Sequence, residues 1–368
     1  MVDTTAPELE ITGVEDMMAY NGDVAPVITY HDINYDDSSA GIVIVGVKNP
    51  EGENLTGTRT EDAFGGSFTC DNIEAVKEND DIYTATGSVS DLAGNTTEVK
   101  VTFSVNRFGS TYMFADDTQA LLDKYYTNTP QALHVIEINV DGQTMNRITT
   151  SRNGEVTTLK ENSDYTVQES VPGWHQFDYT INAANFDTEG AYDVTLYSAD
   201  EAGNASSNRS IKENDAATSD MPITFVVDKT PPVNIVTGVD NDEQYVAAER
   251  TIVVNYDDNV GMNSLTLSVN GEVVAQYDAQ TLQQAGGSVQ YQAKAANHWQ
   301  ELKVVSVDVA GNASDETTVR YLLTGNLLVQ YYNNKPIFYG SLIVLAAVVI
   351  FIVLLFKRKK EREKEKTK

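Results

Sequence analysis

The chain carries one five-residue pattern, Asp-x-Ala-Gly-Asn, three times along its 368 residues. The copies begin at Asp91, Asp200 and Asp308, so they recur at intervals of 109 and 108 residues. An alternating run of residues precedes each copy, and a period of two is typical of a strand with one buried face. Glycine supplies the left-handed conformation of a short loop, and Asp and Asn side chains bond nearby backbone amides. The pattern therefore predicts a hairpin turn in each of three copies of one β-rich domain.

An earlier turn pattern also recurs once in each copy. It comprises Asn49-Pro50-Glu51-Gly52, Asp141-Gly142 and Asn270-Gly271. Alternating apolar residues flank the last pair, and Asn-Gly in that setting predicts a type I′ hairpin.

Two matching proline-containing linkers mark the start of the first copy and the start of the third. The sequence DTTAP at residues 3–7 matches DKTPP at residues 228–232. Proline fixes an extended backbone and cannot donate to a β-ladder, so these segments are expected to lie outside the sheets. The predicted domains are residues 3–105, 106–227 and 228–323.

Turn signals every roughly 8 to 12 residues predict about seven short strands in each domain. We therefore expect an all-β fold, with three tandem antiparallel β-sandwiches of immunoglobulin type. The middle domain carries extra chain, which includes a polar loop at residues 212–220 and a helix at Asp117–Tyr126. That helix is the only one expected outside the membrane.

The DTTAP or DKTPP linker, together with the late Asp-x-Ala-Gly-Asn turn, resembles the bacterial Ig-like repeat domains found in tandem on surface proteins of Gram-positive bacteria. The resemblance covers residues 3 to about 323, and it implies β-sandwiches that stack in tandem at the cell surface. The chain differs from antibody domains because it lacks their Cys…Trp…Cys pattern. Tyr83 and Tyr192 are candidates for a tyrosine corner, whereas Gln300 stands at that position in the third copy.

Residues 337–356 form an uncharged run of twenty residues, enough for a helix to cross a hydrocarbon core about 30 Å thick. A juxtamembrane linker at 324–336 precedes the run, and Tyr331, Tyr332, Phe338 and Tyr339 crowd this side. Aromatic rings favour the membrane interface. The alternative, a buried core helix, fits less well because the run has no polar face. The sequence thus predicts a single-pass membrane helix with the lipid bilayer as partner.

The tail at 357–368 holds eight basic residues and three glutamates. Because positively charged flanks stay in the cytoplasm, we expect the tail to be cytoplasmic and the bulk of the chain extracellular. The competing topology is a tail-anchored protein with its bulk in the cytoplasm. The first thirty residues contain no secretion signal, so the extracellular topology implies a piece of a longer secreted precursor.

Charge and cysteine content exclude several classes of protein. A formal net charge of −29 argues against binding nucleic acid through its phosphates. A single cysteine, Cys70, excludes an internal disulfide scaffold and any zinc site built on two cysteines.

Catalytic signatures are missing from the sequence. It contains no nucleophile elbow, phosphate-binding loop or His-Glu-x-x-His motif, and the four histidines share no metal-ligand spacing. We therefore expect no catalytic residues, no cofactor other than calcium and no enzyme activity in this segment.

Calcium is the alternative to solvated acidic loops for the clustered carboxylates, because it prefers hard oxygen ligands. The turn at Ala199–Gly203 is similar to the cadherin AxDxG turn, whose Asp binds calcium. The cadherin DxNDN linker is missing, however. The candidate calcium ligands are Asp36, Asp37, Asp200, Asp257 and Asp258.

Three functions remain open from the sequence. The first is a membrane-proximal stalk of about 100 Å that displays or spaces an upstream module and supports adhesion. The second is a module that binds a glycan or host protein through the middle domain, with Trp174 and Tyr179 as candidate contacts. The third is the membrane-proximal end of a surface hydrolase whose catalytic domain lies upstream.

Overall fold

The computed structural model describes residues 3–209 and 220–366. It contains three Ig-like β-sandwiches, each built from two sheets, followed by a C-terminal apolar helix. The predicted fold class is therefore confirmed. The polar loop predicted at 212–220 lies outside the described residues, except for Asp220.

The first sandwich packs the sheet β1-β3-β7-β6 against the sheet β2-β9-β8-β4-β5. Its strands are β1 (Glu8–Thr12), β2 (Met18–Tyr20), β3 (Val27–His31), β4 (Tyr35–Gly46), β5 (Glu53–Asn54), β6 (Gly57–Glu61), β7 (Gly65–Cys70), β8 (Asp81–Asp91) and β9 (Thr96–Val105).

The middle sandwich packs the sheet β10-β12-β16-β15 against the sheet β11-β19-β17-β13-β14, and β18 pairs with β17. Its elements are β10 (Thr111–Phe114), α1 (Asp116–Lys124), β11 (Tyr126–Thr127), β12 (Leu133–Asn139), β13 (Gln143–Arg152), β14 (Glu155–Thr158), β15 (Tyr165–Ser170), β16 (His175–Ile181), β17 (Gly190–Asp200), β18 (Ala205–Ser207) and β19 (Ile223–Val227).

The third sandwich packs the sheet β20-β22-β25 against the sheet β21-β27-β26-β23-β24. Its elements are β20 (Val233–Thr237), β21 (Glu243–Val246), β22 (Glu249–Asp257), β23 (Met262–Val269), β24 (Glu272–Asp278), α2 (Ala279–Ala285), β25 (Ser288–Lys294), β26 (Trp299–Asp308) and β27 (Thr317–Thr324).

The core of each sandwich is filled by the side chains of alternate strand residues. In β8 every second residue is buried, including Tyr83 and Ala85, while the residues between them are half-buried. The same alternation recurs in β17 and β26, and it places one separate apolar cluster inside each sandwich. Burying one large aliphatic or aromatic side chain contributes about 1.5–3 kcal/mol, so each cluster can hold its own pair of sheets.

Each sandwich departs from the antiparallel expectation at one position. The short strands β2, β11 and β21 pair in parallel with β9, β19 and β27, respectively. In the first sandwich β1 therefore belongs to one sheet and β2 to the other. In the third sandwich β20 and β21 are divided between the two sheets in the same way.

The structure corrects the earlier-turn alignment. Asp141-Gly142 is not a hairpin, because it carries the chain from β12 in one sheet to β13 in the other. The corresponding hairpin is Asn153-Gly154, where Arg152 pairs with Glu155. Asn153 and Asn270 have φ values of 51° and 53°, and the glycine after each is also positive, so both pairs form the type I′ geometry predicted for Asn270-Gly271.

Two helices outside the membrane run were not predicted. Helix α2 begins where Asp278 accepts a hydrogen bond from the Thr281 amide at 2.9 Å, and it ends at Gly286 with φ 64°. Helix α3 (Leu327–Asn333) follows the third sandwich. The prediction that residues 117–126 contain the only helix outside the membrane was wrong, although α1 does form there.

The tyrosine corners are present in the first two sandwiches. The Tyr83 hydroxyl donates to the carbonyl of Asn79 at 2.8 Å, and the Tyr192 hydroxyl donates to the carbonyl of Thr188 at 2.7 Å. Each hydroxyl reaches four residues upstream, as this feature requires.

The chain forms two compact units, residues 1–227 and 228–368. The first unit holds the first two sandwiches, and the second holds the third sandwich with α3 and α4 (Lys335–Lys366). Helix α4 contains the predicted run 337–356. It is long and apolar enough to cross a membrane, and none of its most apolar stretch is buried.

Candidate functional site

The three Asp-x-Ala-Gly-Asn turns share one local geometry. In the first, Asp91 Oδ1 accepts hydrogen bonds from the amides of Ala93 and Asn95 at 2.9 and 2.8 Å. Gly94 has φ 91°, and its counterparts Gly203 and Gly311 have φ 85° and 97°. The predicted hairpin turns are confirmed, and in each the Asp side chain is turned inward, with at most 4% of the residue exposed.

Each turn aspartate meets two further polar residues at the end of its sandwich. One comes from the segment that leads into the sandwich, and the other follows the strand equivalent to β3. In the first sandwich these residues are Asp3, Asp32 and Asp91, and in the third they are Asp228, Asp258 and Asp308. Each offers one carboxylate oxygen, and in both groups these oxygens lie within 4.8 Å of one another. We call these groups the first and third acidic clusters.

The third acidic cluster is the more enclosed of the two. Asp228 and Asp308 are 1% and 0% exposed, and the side-chain amide of Asn312 donates to both, at 3.2 and 2.7 Å. Asp258 Oδ2 accepts from the amides of Val260 and Gly261. Its Oδ1 is enclosed and has no hydrogen-bond partner within residues 3–209 and 220–366. Three carboxylates and one unsatisfied oxygen therefore share a small volume.

The first acidic cluster is held by two asparagines. Asn95 Nδ2 donates to Asp91 at 2.6 Å, and Asn34 Nδ2 donates to Asp3 at 2.9 Å. Burial raises the pKa of Asp91, but the hydrogen bonds from the side chain and backbone of Asn95 outweigh it, and the pKa lies below its usual range. Asp91 is thus ionised at neutral pH.

In the middle sandwich, a different set of side chains occupies the place of the acidic clusters. Asn106 replaces the leading aspartate, and its Nδ2 lies 2.7 Å from Asn139 Oδ1 and 2.9 Å from a carboxylate oxygen of each of Asp141 and Asp200. Its Oδ1 accepts from the Gly109 amide at 3.0 Å. All of these side chains are at least nine-tenths buried. We call this group the middle amide cluster, because an amide lies between the two carboxylates.

The middle amide cluster continues into a second buried carboxylate site. Glu137 is 0% exposed and accepts hydrogen bonds from the hydroxyls of Ser110, Ser198 and Tyr179. Burial raises the pKa of Glu137, although the hydroxyl donors oppose the shift. Burial also raises the pKa of Asp141.

Two adjacent residues of the linker after β9 contact different sandwiches. Asn106 points into the middle amide cluster, whereas Arg107 forms a buried ion pair with Asp80 at 3.2 Å in the first sandwich. Trp174 Nε1 of the middle sandwich donates to Asp81 at 2.7 Å. Lys48 Nζ lies 4.3 Å from the centroid of the Trp174 ring. These contacts fix the two sandwiches to each other within the first unit.

The five candidate calcium ligands from the sequence fall in different places. Asp258 lies in the third acidic cluster, and Asp200 lies in the middle amide cluster. Asp36 accepts from Ser38, Asp37 pairs with Tyr30 and Arg59, and Asp257 is exposed at the end of β22. Sequence reasoning missed Asp3, Asp32, Asp91, Asp228 and Asp308. The signal was present in the matched linkers and turns, but Asp3 and Asp228 were interpreted only as parts of linkers, and Asp91 and Asp308 only as parts of turns.

The two candidate binding residues lie inside the first unit. Trp174 is half-buried at the junction described above, and Tyr179 is 2% exposed, with its hydroxyl bonded to Glu137 and Gln143. The Tyr179 ring is therefore not presented to a ligand. A glycan or host-protein site on the middle sandwich stays a prediction.

No known protein family matches the chain, and no curated protein matches it. Among solved structures, it is similar to the D1–D4 ectodomain fragment of ICAM-5, at 8% identity and a TM-score of 0.41, over 86% of this chain and 77% of that one. It is also similar to a tetra-tandem repeat in the extending region of a large adhesion protein, at 17% identity and a TM-score of 0.30, over 85% and 74% of the two chains. The FN1–FN3 domains of chicken CNTN1 align at 9% identity and a TM-score of 0.29, over 86% and 99%.

Proposed function

We propose that this chain is the membrane-anchored extracellular stalk of a bacterial surface protein, which displays or spaces an upstream module and supports adhesion. The observation that carries the proposal is the order of parts. Three Ig-like sandwiches are followed, after the short helix α3, by the exposed apolar helix α4, and residues 357–368 hold eight basic residues. That charge distribution favours a cytoplasmic tail and an extracellular bulk.

The junction between the first two sandwiches supports a spacing role. A spacer needs domains that do not pivot freely, and the Arg107–Asp80 pair is buried on both sides. Removing one member of such a pair costs about 3–5 kcal/mol, because it leaves a buried charge without a partner. The acidic surface also suits a soluble, mutually repelling ectodomain.

Protease treatment of intact cells that display the protein tests the topology. We expect residues 1–336 to be digested, while an antibody against the tail detects a short protected fragment of residues 337–368. Lysed cells serve as the control, in which the tail epitope is also lost. Protection of residues 1–336 in intact cells would refute the extracellular topology.

We further propose that the first and third acidic clusters bind calcium. The specific observation is that three carboxylates converge at corresponding positions in both sandwiches, with an unpartnered buried oxygen of Asp258 in the third. Calcium takes six to eight oxygen ligands, and carboxylates are its preferred side-chain donors. The bound ion would neutralise the mutual repulsion of the carboxylates and so stabilise the end of each sandwich.

The two tryptophans allow calcium binding to be tested in the full-length protein in detergent. Trp174 lies in the first unit and Trp299 in the second. Urea unfolding is therefore followed through Trp174 in a W299F variant and through Trp299 in a W174F variant. For the second unit we expect about 2.7 kcal/mol of added stability at a calcium concentration of 100 times Kd, compared with EDTA. Equal unfolding midpoints in calcium and EDTA for both reporters would refute calcium binding.

A further inference from the structure

Helix α3 connects the last strand of the third sandwich to α4 and exposes an apolar surface. Leu327 is 67% exposed, Leu328 76%, Tyr331 40% and Tyr332 56%. Asn326 caps the helix by accepting a hydrogen bond from the Leu328 amide at 2.9 Å. Large apolar side chains grouped on a seven-residue helix mark a surface that another apolar phase covers.

The other side of α3 is fixed to the third sandwich. The Trp299 ring nitrogen donates to Asn333 Oδ1 at 3.2 Å, and Trp299 is the first residue of β26. The guanidinium of Arg320, on the neighbouring strand β27, lies 4.5 Å from the centroid of the Trp299 ring. These contacts hold α3 against the end of the sheet opposite to Asp308.

Aromatic contacts fix α3 to the membrane helix as well. The rings of Tyr331 and Tyr332 lie 5.7 and 5.1 Å from the ring of Phe338, and the Tyr331 hydroxyl bonds to the Ser341 hydroxyl. Phe338 is the second residue of the apolar run 337–356. Side chains that pack on the first turn of a membrane-spanning run lie at the depth of the lipid headgroups.

We propose that α3 lies in the interfacial layer of the bilayer and seats the end of the third sandwich on the membrane surface, with Leu327 and Leu328 in contact with lipid. The inference rests on the proposed membrane anchor. Lipid is the occupant because the exposed surface of α3 continues through Phe338 into α4, whose apolar stretch is also unburied. Tyrosine rings carry an apolar body and a polar tip, which suits this layer. The last sandwich is then held at the membrane instead of swinging on a free linker.

A fluorescent label placed at three exposed positions tests the inference in the full chain. An environment-sensitive thiol label is attached to L328C, V233C or I350C, and each protein is reconstituted into phosphatidylcholine liposomes. Val233 is 60% exposed and lies at the Asp308 end of the same sandwich, so it is the matched aqueous control. Ile350 is 60% exposed in the middle of the apolar run. Burial raises the pKa of the native Cys70 to about 11, so that thiol does not compete for label at pH 7.

Replacing the lipid with its brominated form distinguishes the outcomes. We expect the labels at L328C and I350C to lose at least half of their fluorescence, while the label at V233C is unchanged. Aqueous iodide should quench the V233C label at least twofold more strongly than the L328C label. If L328C behaves like V233C while I350C is quenched by brominated lipid, the seating of α3 is refuted and the anchor stands. If brominated lipid does not quench the I350C label either, both the proposed membrane anchor and the seating of α3 on the membrane are refuted. A blue-shifted L328C label that ignores brominated lipid would show a protein contact and would also refute the inference.

Discussion

The middle and third sandwiches end in the same turn, yet they neutralise its aspartate in different ways. In the third, Asp308 lies near Asp228 and Asp258, so three carboxylates converge. In the middle, Asp200 shares the Nδ2 group of Asn106 with Asp141. The turn asparagine donates to the turn aspartate in both, so the difference lies in the other residues. Asn106 and Asn139 both donate to Asp200 in the middle sandwich, whereas the third has two further carboxylates.

This difference shows how side-chain amides in place of carboxylates can separate a self-sufficient site from one that, as proposed above, binds a cation. A carboxylate only accepts hydrogen bonds, whereas a side-chain amide supplies two N–H donors. Asn106 therefore removes one negative charge and satisfies two of the remaining acceptors. Buried carboxylates without donors or a counter-ion carry a large desolvation cost. In the third acidic cluster the side chains of Asn312 and Asn259 supply donors, but Asp258 Oδ1 has none within the described residues, so part of that cost remains.

The largest effect is expected for Asn106→Asp, which puts an aspartate at the leading position of the middle amide cluster, as in the first and third acidic clusters. The variant removes two N–H donors and adds a buried charge, so in EDTA we expect the free energy of unfolding of the first unit to fall by about 3–5 kcal/mol. Millimolar calcium should restore part of that loss. The measurement is urea unfolding followed through Trp174 in the W299F background.

Gln168→Glu is the matched control for Asn106→Asp. Gln168 is exposed on β15 opposite Asp178, so the same added charge should lower the free energy of unfolding by less than about 1 kcal/mol. If Asn106→Asp is as mild as this control, the amide does not neutralise the middle cluster.

The reverse exchange, Asp228→Asn, has the next largest expected effect. It gives the third sandwich the residue set of the middle one, so the calcium stabilisation of the second unit, about 2.7 kcal/mol at 100 times Kd in the wild type, should fall by more than half. In EDTA the variant should be at least as stable as the wild type, because one buried charge is gone. Trp299 reports the unfolding in the W174F background.

Asp257→Asn tests whether calcium stabilises the second unit at the third acidic cluster or through a general effect on the acidic surface. Asp257 is adjacent to Asp258 in the chain but is exposed at the end of β22. Its variant should keep the full calcium response. An equal loss of response in Asp228→Asn and Asp257→Asn would mean that calcium acts on the acidic surface and not at the third acidic cluster.

The sequence was sufficient for the sandwiches, the three Asp-x-Ala-Gly-Asn turns and the apolar helix, because each depends on local periodicity and turn chemistry. The partners of Asp91 and Asp308 depend instead on contacts across the sandwich, from Asp3 and Asp228 about 80 to 90 residues earlier. Adjacent acidic pairs such as Asp36-Asp37 were poor guides, since successive strand residues point to opposite faces. Helix α2 was missed because seven residues carry too little periodicity, although Asp278 and Gly286 mark its ends.

The smallest expected effect is a pH dependence of the free energy of unfolding that arises in the middle sandwich. The pKa of Glu137 is raised above its usual 4.5 by burial, so the folded state holds this proton at pH values where the unfolded state has released it. The resulting stability is complete below about pH 4.5, and it is lost as the pH rises toward the folded value, by at most about 1.4 kcal/mol per pH unit. Glu137→Gln should therefore flatten the decrease in unfolding free energy of the first unit above pH 4.5, as measured by urea unfolding through Trp174.

Glu155→Gln provides the control for this pH profile, since Glu155 is exposed on β14 of the same sandwich. It should leave the decrease above pH 4.5 unchanged, and the second unit, followed through Trp299, should not respond to either variant. Asp91 gives the opposite sign within the first unit, because its lowered pKa makes its contribution disappear as the pH falls. Stability lost above pH 4.5 comes from carboxylic acids whose pKa is raised, which among the described residues of the first unit are Glu137 and Asp141 of the middle sandwich and Glu61, bonded to Asp37, of the first. A profile for Glu137→Gln as steep as the wild-type profile would exclude Glu137 as the source of that loss and leave Asp141, whose pKa burial raises, and Glu61, whose pKa the hydrogen bond with Asp37 raises.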